Sequence, residues 1–199
     1  MTIQPLTNFN LLLLGVVHAQ VKRAAGVAVA PPDFEQNLLA FADRRGTRNC
    51  VQRVAEDASA ARVGDVEFVG VAVDVGNPHL ACLTDVDLAG IDLSVPPSYE
   101  KADFPEGVNI EIIRRTGTDR IRMRVHERGV GETRSCGTGT VAAAAAYLRA
   151  DNRSTGTVEV SVPGGGVTVT ITDDGSTLTG PAVLVAAGTI DGAFWERHR

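Results

Sequence analysis

The residue types and spacings that could do chemistry concentrate between His126 and Leu148, in the stretch HERGVGETRSCGTGTVAAAAAYL. A charged lead-in, Glu127-Arg128, meets a glycine-spaced loop over residues 129–139 that carries Cys136. The loop runs into an alanine-rich segment expected to be helical from about residue 140. A thiol just ahead of a helix sits among backbone N–H groups that lack intrahelical partners, at the positive end of the helix dipole. That setting favours a thiolate near neutral pH, and the same N–H groups can hold a carboxylate. Competing chemistries have less behind them. Gly129, Gly131, Gly137 and Gly139 resemble a phosphate cradle in composition, but no Gly-Lys-Ser/Thr sequence occurs there and no parallel strand–helix–strand unit precedes them. Pairing of Cys136 with His79 or His126 in a hydrolase-like arrangement rests on residue type alone. Cys50, Cys82, Cys136, His18, His79, His126 and His198 show none of the paired spacings of a zinc site, so no metal is expected. A purely structural glycine turn is the plain alternative for the loop.

The elements that must position this stretch read as strands. Residues 67–75 (EFVGVAVDV) are rich in valine and partly alternating, and Gly76-Asn77-Pro78 is a strong turn signal. A short strand is expected over 79–83, and Pro96-Pro97 closes a mixed segment over 86–97. Residues 108–114 and 120–125 alternate, with residues 116–119 between them as a hairpin turn, so the second strand delivers His126 and Glu127 into the glycine loop. Beyond the alanine helix, residues 158–162 and 167–171 form another alternating pair around Pro163-Gly164-Gly165-Gly166. Asp173-Asp174-Gly175 marks a further turn, and 181–187 a last apolar strand. Small side chains on every face of residues 142–146 let neighbouring backbones come close. The expected class is therefore α+β, with mostly antiparallel strands wrapped around a central alanine-rich helix.

The first sixty or so residues are less legible. Residues 11–14 and 26–30 are apolar, Pro31-Pro32 breaks the chain, and Asp33 can cap a helix over 34–43 that ends at Arg44-Arg45-Gly46. The apolar run 11–17 has the look of a signal-peptide core, but residues 1–10 hold no Lys or Arg, so a buried strand or helix is the better reading.

Composition bounds the function. At 199 residues the chain suits one large or two small domains, and with aromatics at 5% its core should be built of Val, Leu, Ile and Ala. A formal net charge of −5 argues against a nucleic-acid surface, whose usual footprint is basic. No apolar run approaches the ~20 residues of a membrane span. Three widely separated cysteines do not make a disulfide framework and favour a reducing, cytoplasmic setting.

Read together, Glu127-Arg128-Gly129-Val130-Gly131-Glu132-Thr133 and Ser135-Cys136-Gly137-Thr138-Gly139 resemble the second cysteine motif of the diaminopimelate epimerase family. Two upstream pieces agree in order: Gly76-Asn77-Pro78-His79 resembles the family's GNPH turn, and Phe104-Pro105 with Asn109 its FP-x-x-x-N segment. The resemblance runs over roughly 62–188. It implies a diaminopimelate epimerase-like fold and a cofactor-free, two-base epimerisation at an amino-acid α-carbon, interconverting LL- and meso-diaminopimelate in lysine and cell-wall precursor synthesis. In that reading Cys136 is one of two thiols, and Glu127 and His79 orient the substrate or tune the acid and base. Asn77, Asn109 and Arg128 bind the substrate's polar ends. The backbone at Gly137 and Thr138 holds the α-carboxylate, whose N–H bonds help it bear carbanion charge developing alongside.

The resemblance fails near the N-terminus. The family's first cysteine motif, of the MCGNG type, is absent, and sixty residues are too few for a full counterpart domain. Arg48-Asn49-Cys50 faintly echoes its lead-in, which makes Cys50 the candidate second thiol, set against its reading as a small buried hydrophobe; Cys82 reads as core. The expected organisation is a shortened or divergent N-terminal region over 1–61, an epimerase-like C-terminal domain over 62–180, and a final strand and tail over 181–199 returning to the N-terminal region. Partners are expected to be a small-molecule amino-acid substrate and, as one option, a second copy in a homodimer, with neither nucleic acid nor membrane. The alternative function is a non-catalytic epimerase-like domain that lacks the second thiol and binds an amino acid or a partner chain.

Overall fold

The computed structural model describes residues 22–24, 27–29, 51, 53–181 and 192–197. The expected helix over 34–43, Cys50, and residues 182–187 of the expected last strand lie outside the described residues. Strands β1 (Lys22–Ala24) and β2 (Val27–Val29) pair antiparallel as a two-stranded sheet. The rest of the strands form one mixed sheet. Its members are β3 (Arg53–Val63), β4 (Val66–Asp74), β5 (Pro78–Leu83), β6 (Ser98–Tyr99), β7 (Asn109–Gly117), β8 (Arg120–Glu127), β9 (Gly131–Thr133), β10 (Gly156–Val162), β11 (Gly165–Thr172) and β12 (Gly175–Thr179). Their order is β12-β11-β10-β8-β7-β5-β4-β3-β6, with β9 added on β8. Within it β5–β7 and β8–β10 pair parallel and the other pairs are antiparallel. The fold is thus mostly strands in a mixed sheet with few helices: α1 (Gly137–Ala150), α2 (Gly192–Arg197) and a 3₁₀ turn at Leu88–Gly90.

Four strands that alternation did not reveal belong to this sheet: β3, β6, β9 and β12. β3 lies in the stretch that was least legible and runs through the expected boundary at residue 61, so residues N-terminal to that boundary pair with β4. Its outer half, Glu56 to Ala58, is exposed, which blurs the period-two pattern that marks a half-buried strand. β12 is built of Gly, Ser and Thr with a single Leu178, a composition that gives no strand signal. β9 makes part of the glycine loop a strand edge.

Both faces of the sheet's centre are covered, so β5 and the first half of β7 are buried at successive residues. On β7, Ile110 and Ile112 join a cluster with Phe68, Leu80, Cys82, Leu93 and Phe104 on one face. Ile113 belongs to the opposite face, with Val73, Ala81, Met123, Val125 and the buried side of α1. Because side chains alternate along a strand, this parity puts Asn109 and Glu111 of β7, His79 of β5 and Glu127 of β8 on the helix side too.

α1 is buried along its length from Gly139 to Leu148 and lies against β4, β5, β7, β8, β10, β11 and β12. Five consecutive alanines, 142–146, are what allows that approach: larger side chains would hold the strands off. The far end of the helix is anchored by named bonds. Tyr147 Oη accepts from the Asp119 N–H at 2.9 Å, the Arg115 guanidinium stacks 4.4 Å above the Tyr147 ring, and Arg115 forks onto Asp151 at 2.8 and 3.1 Å. Among the described residues no helix is long and apolar enough to cross a membrane.

Close packing at the sheet's centre has a measurable consequence at Gly70. A Cβ there would stand 2.4 Å from the Ala81 carbonyl oxygen and 2.7 Å from Cys82 Sγ, and backbone cannot step aside. Gly70→Ala is expected to destabilise the chain by about 1–3 kcal/mol. Gly90→Ala, where a Cβ meets nothing within 4 Å, should change stability by no more than about 0.5 kcal/mol. Urea midpoints of the two variants decide it.

Candidate functional site

The site begins at the start of α1. Cys136 is not one turn ahead of the helix but its N-cap, in extended conformation (φ −131°, ψ 116°). Its carbonyl accepts the first helical bond, from the Thr140 N–H at 2.9 Å, and Thr140 Oγ1 donates to the same oxygen at 2.7 Å. The sulfur does what a Ser or Asp oxygen does at other helix starts: it accepts from the Gly139 N–H at 3.4 Å and lies 3.6 Å from Thr138 Oγ1. The N–H groups of Gly137 and Thr138, in the first helical turn, have no carbonyl one turn back to bond, and both residues are half-buried rather than sealed. An anionic group could reach them.

The loop that delivers Cys136 is braced on both sides. Gly129 and Gly131 adopt φ of +75° and +104°, where a side chain would be strained. Thr133 Oγ1 donates to Glu127 Oε1 in a short bond, and the Gly164 N–H, in the turn between β10 and β11, donates to the Arg134 carbonyl at 2.8 Å. Arg124 forks onto Glu132 at 2.6 and 2.9 Å.

Behind the sulfur lies a polar cluster in an otherwise apolar interior. His79 and Asn109 are cross-strand partners, and Glu111 sits two residues along the same face. His79 Nδ1 is 2.7 Å from Glu111 Oε1 and Nε2 is 3.1 Å from Asn77 Oδ1, so both ring nitrogens are engaged. Asn109 Nδ2 donates to the Pro78 carbonyl at 3.1 Å, and its Oδ1 accepts from the Arg128 N–H at 3.0 Å, tying the Gly76-Asn77-Pro78-His79 turn to the end of β8. The Arg128 guanidinium donates to the Glu106 carbonyl at 2.8 Å and lies over Gly107, where a Cβ would come 2.8 Å from Arg128 Cδ.

Glu111 is the residue that sequence reasoning missed. Its side chain is wholly buried, and Oε2 has no hydrogen-bond partner. Burial pushes its carboxyl up to about 7, against the lowering effect of His79. The signal was present, since a carboxylate at the centre of Asn-Ile-Glu-Ile-Ile has no solvent face if the strand is covered on both sides. Reading that stretch as half-exposed and alternating hid it.

The thiol is correspondingly different from the expectation of a thiolate near neutral pH. Burial first and the Glu111 carboxylate second push Cys136 up to about 11, and the bonds from Thr138 and Gly139 only partly oppose them. Helix-start N–H groups lower a thiol's pKa where solvent and cations help; here the neighbouring charge is negative. The sulfur's hydrogen-bond partners are on its own helix start, not His79 or His126. Cys82 is core, wholly buried and pushed up to about 12 by burial, then by Glu111. The structure therefore brings Cys136, Gly137 and Thr138 together at the helix start and joins Asn77, His79, Asn109 and Arg128 in one bonded network. Glu127 is held through Thr133 on the same side. Cys50 lies outside the described residues. Among the described residues no group of three His, Cys, Asp or Glu could hold a metal ion.

Comparison with known proteins gives a consistent answer. A family described as diaminopimelate epimerase matches residues 71–185, a span that holds the helix start, the glycine loop and the buried polar cluster. The chain is 50% identical over 146 residues to a diaminopimelate epimerase of Mycobacterium sp. (strain KMS), covering 71% of this chain and 50% of that protein. It is 56% identical over 141 residues to the diaminopimelate epimerase of Mycolicibacterium smegmatis, covering 70% and 48%, and 53% identical over 142 residues to that of Rhodococcus jostii, covering 69% and 49%. The chain spans about half the length of the curated relatives it matches. With the match covering more than half of its own residues, this chain belongs to the diaminopimelate epimerase family.

Proposed function

We propose that the chain carries the half of an epimerase site that grips an amino acid's α-carboxylate and works one face of its α-carbon with a thiol, in the interconversion of LL- and meso-diaminopimelate. The observation that carries this reading is Cys136 as the sulfur N-cap of α1, beside the half-buried amides of Gly137 and Thr138. A carboxylate on those amides sets the neighbouring α-carbon close to the sulfur. The Cys136 thiolate would take the α-proton, forming S–H and leaving the electron pair on the α-carbon, where the bound carboxylate spreads it. A second thiol on the opposite face would return a proton, and Cys50 is the candidate within this chain. Glu127 and His79 hold the acid–base geometry, and Asn77, Asn109 and Arg128 take the substrate's polar ends. The proposed arrangement of the whole is diaminopimelate epimerase-like, with strands wrapped around the alanine helix, and the proposed setting is the reducing cytoplasm, which suits the free thiols of Cys82 and Cys136.

A second reading, a non-catalytic domain that binds an amino acid or a partner, is favoured by one observation: Cys136 is held as a thiol by burial and by Glu111. Solvent deuterium exchange separates the two. Incubated in D₂O with LL-diaminopimelate, a working pair of thiols gives α-deuteration together with the meso isomer; exchange with retention of configuration means Cys136 acts alone. A folded chain showing neither belongs to the second reading.

Cys136→Ser should lower exchange by about 10²–10⁴-fold, the range of a positioned acid–base group. Asn109→Ala removes the tie between the Pro78 turn and Arg128 and is expected to weaken binding of diaminopimelate about tenfold, or about 1.4 kcal/mol. Calorimetric titration reads the change, and unaltered affinity would remove Asn109 from the binding set.

A further inference from the structure

Glu111 is not among the residues that the reaction above employs, though it is bonded to one of them. It is wholly buried, one oxygen bonds His79, and the other has no partner. Its relation to Cys136 is set by Gly139. A Cβ built on Gly139 would lie 2.5 Å from Glu111 Oε1 and 3.3 Å from Cys136 Sγ, so Oε1 and the sulfur border the gap that this glycine leaves, no farther apart than those two distances together. A glycine in the first turn of a helix costs helix stability relative to alanine; here it opens a window between the two groups.

We propose that Glu111 is a positioning residue that sets the acidity of Cys136: as a carboxylate it keeps the sulfur protonated, and by taking up a proton it releases the thiolate. The proton leaves Sγ and comes to rest on the Glu111 carboxyl, whose Oε1 is the oxygen at the Gly139 gap, and the pair carries a single negative charge before and after. Such a transfer suits a buried carboxyl with one orphaned oxygen, because the ionised form leaves Oε2 without a donor and the neutral acid costs less to bury. The titratable groups that share the helix side with Glu111 are His79 from β5, Glu127 from the end of β8 and Cys136 from the helix start, while Cys82 of β5 lies on the other face of the sheet. His79 supplies the bond that holds the carboxyl in place, and Cys82 stays a thiol throughout the range of interest. Its carboxyl titrating at about 7 and the thiol at about 11 are consistent with one proton leaving the pair in the neutral range and the second only in strong base.

This inference rests on Cys136 as the reacting thiol, but its test requires no turnover and so fails or succeeds separately from the epimerase reading. The measurement is the rate of iodoacetamide alkylation at Cys136, followed by peptide mass spectrometry on the full chain from pH 5 to 10. Two coupled groups sharing one proton hold a fixed thiolate fraction once the first proton has gone. The unaltered chain should therefore show a rate that climbs to about pH 7 and then levels into a plateau before rising again. Glu111→Gln keeps the shape and the bond to His79 but removes the charge. The plateau should vanish, and the rate at pH 8 should rise about tenfold for each unit by which the thiol's titration falls, with at least one unit expected. A single unbroken log-linear rise in the unaltered chain overturns the proposal, as do superimposable profiles for the two proteins or a folded chain in which Cys136 never reacts. If Glu111→Gln does not fold by circular dichroism, the profile of the unaltered chain decides alone.

Discussion

A carboxylate sealed inside a protein with one oxygen unpartnered is the constraint on which the rest of this structure turns. Burying an ionisable group without full hydrogen bonding costs several kcal/mol, and a chain tolerates it only where the surroundings are tightly determined. Glu111 meets that condition. It stands on the central strand β7, between β5 and β8, both of whose faces are covered, and its one bonded oxygen is tied to His79 at 2.7 Å. His79 in turn is fixed by Asn77, and Asn77 by a turn whose Pro78 carbonyl is held by Asn109. The polar cluster is thus a bonded chain running from the Gly76-Asn77-Pro78-His79 turn to the end of β8, with the thiol at its edge.

The architecture serves that cluster by parity and by size. Alternation along three neighbouring strands places His79, Asn109, Glu111 and Glu127 on the face that α1 covers. The parallel pairing of β5 with β7 puts His79 directly opposite Asn109. The helix comes close enough to seal the cluster because its middle is alanine. Its position is held at the far end by Tyr147, Arg115 and Asp151. Gly139 completes the fit: the place where a side chain would have separated helix from strand is where sulfur and carboxylate face each other.

Electrostatics gives the site two opposed tendencies. The helix start offers amides to a carboxylate and, in isolation, would also draw a proton from the thiol. Burial and Glu111 push the other way and leave Cys136 protonated at neutral pH. The sulfur takes the Gly139 N–H, so the amides of Gly137 and Thr138 at the same helix start stay open.

Much of this was legible in the residues themselves. The glycine-spaced loop with Cys136, the Gly76-Asn77-Pro78-His79 turn and Asn109 are local signals, and their order along the chain was enough to identify the family. So were the hairpin of β7 and β8, where alternation is strong, and the alanine helix. What failed were elements whose identity depends on partners far away. β12 and β3 are strands because β11 and β4 pair with them, not because their compositions demand it. Glu111 looked like the polar half of an alternating strand until the second covered face was known. The thiol's acidity was misjudged for the same reason: its burial is set by strands distant in sequence, and the carboxylate that opposes ionisation is 25 positions away in the chain. Sequence determines which groups are present and what their immediate backbone does with them. Burial and the sign of the nearest charge belong to contacts between distant segments, and only the folded chain decides those.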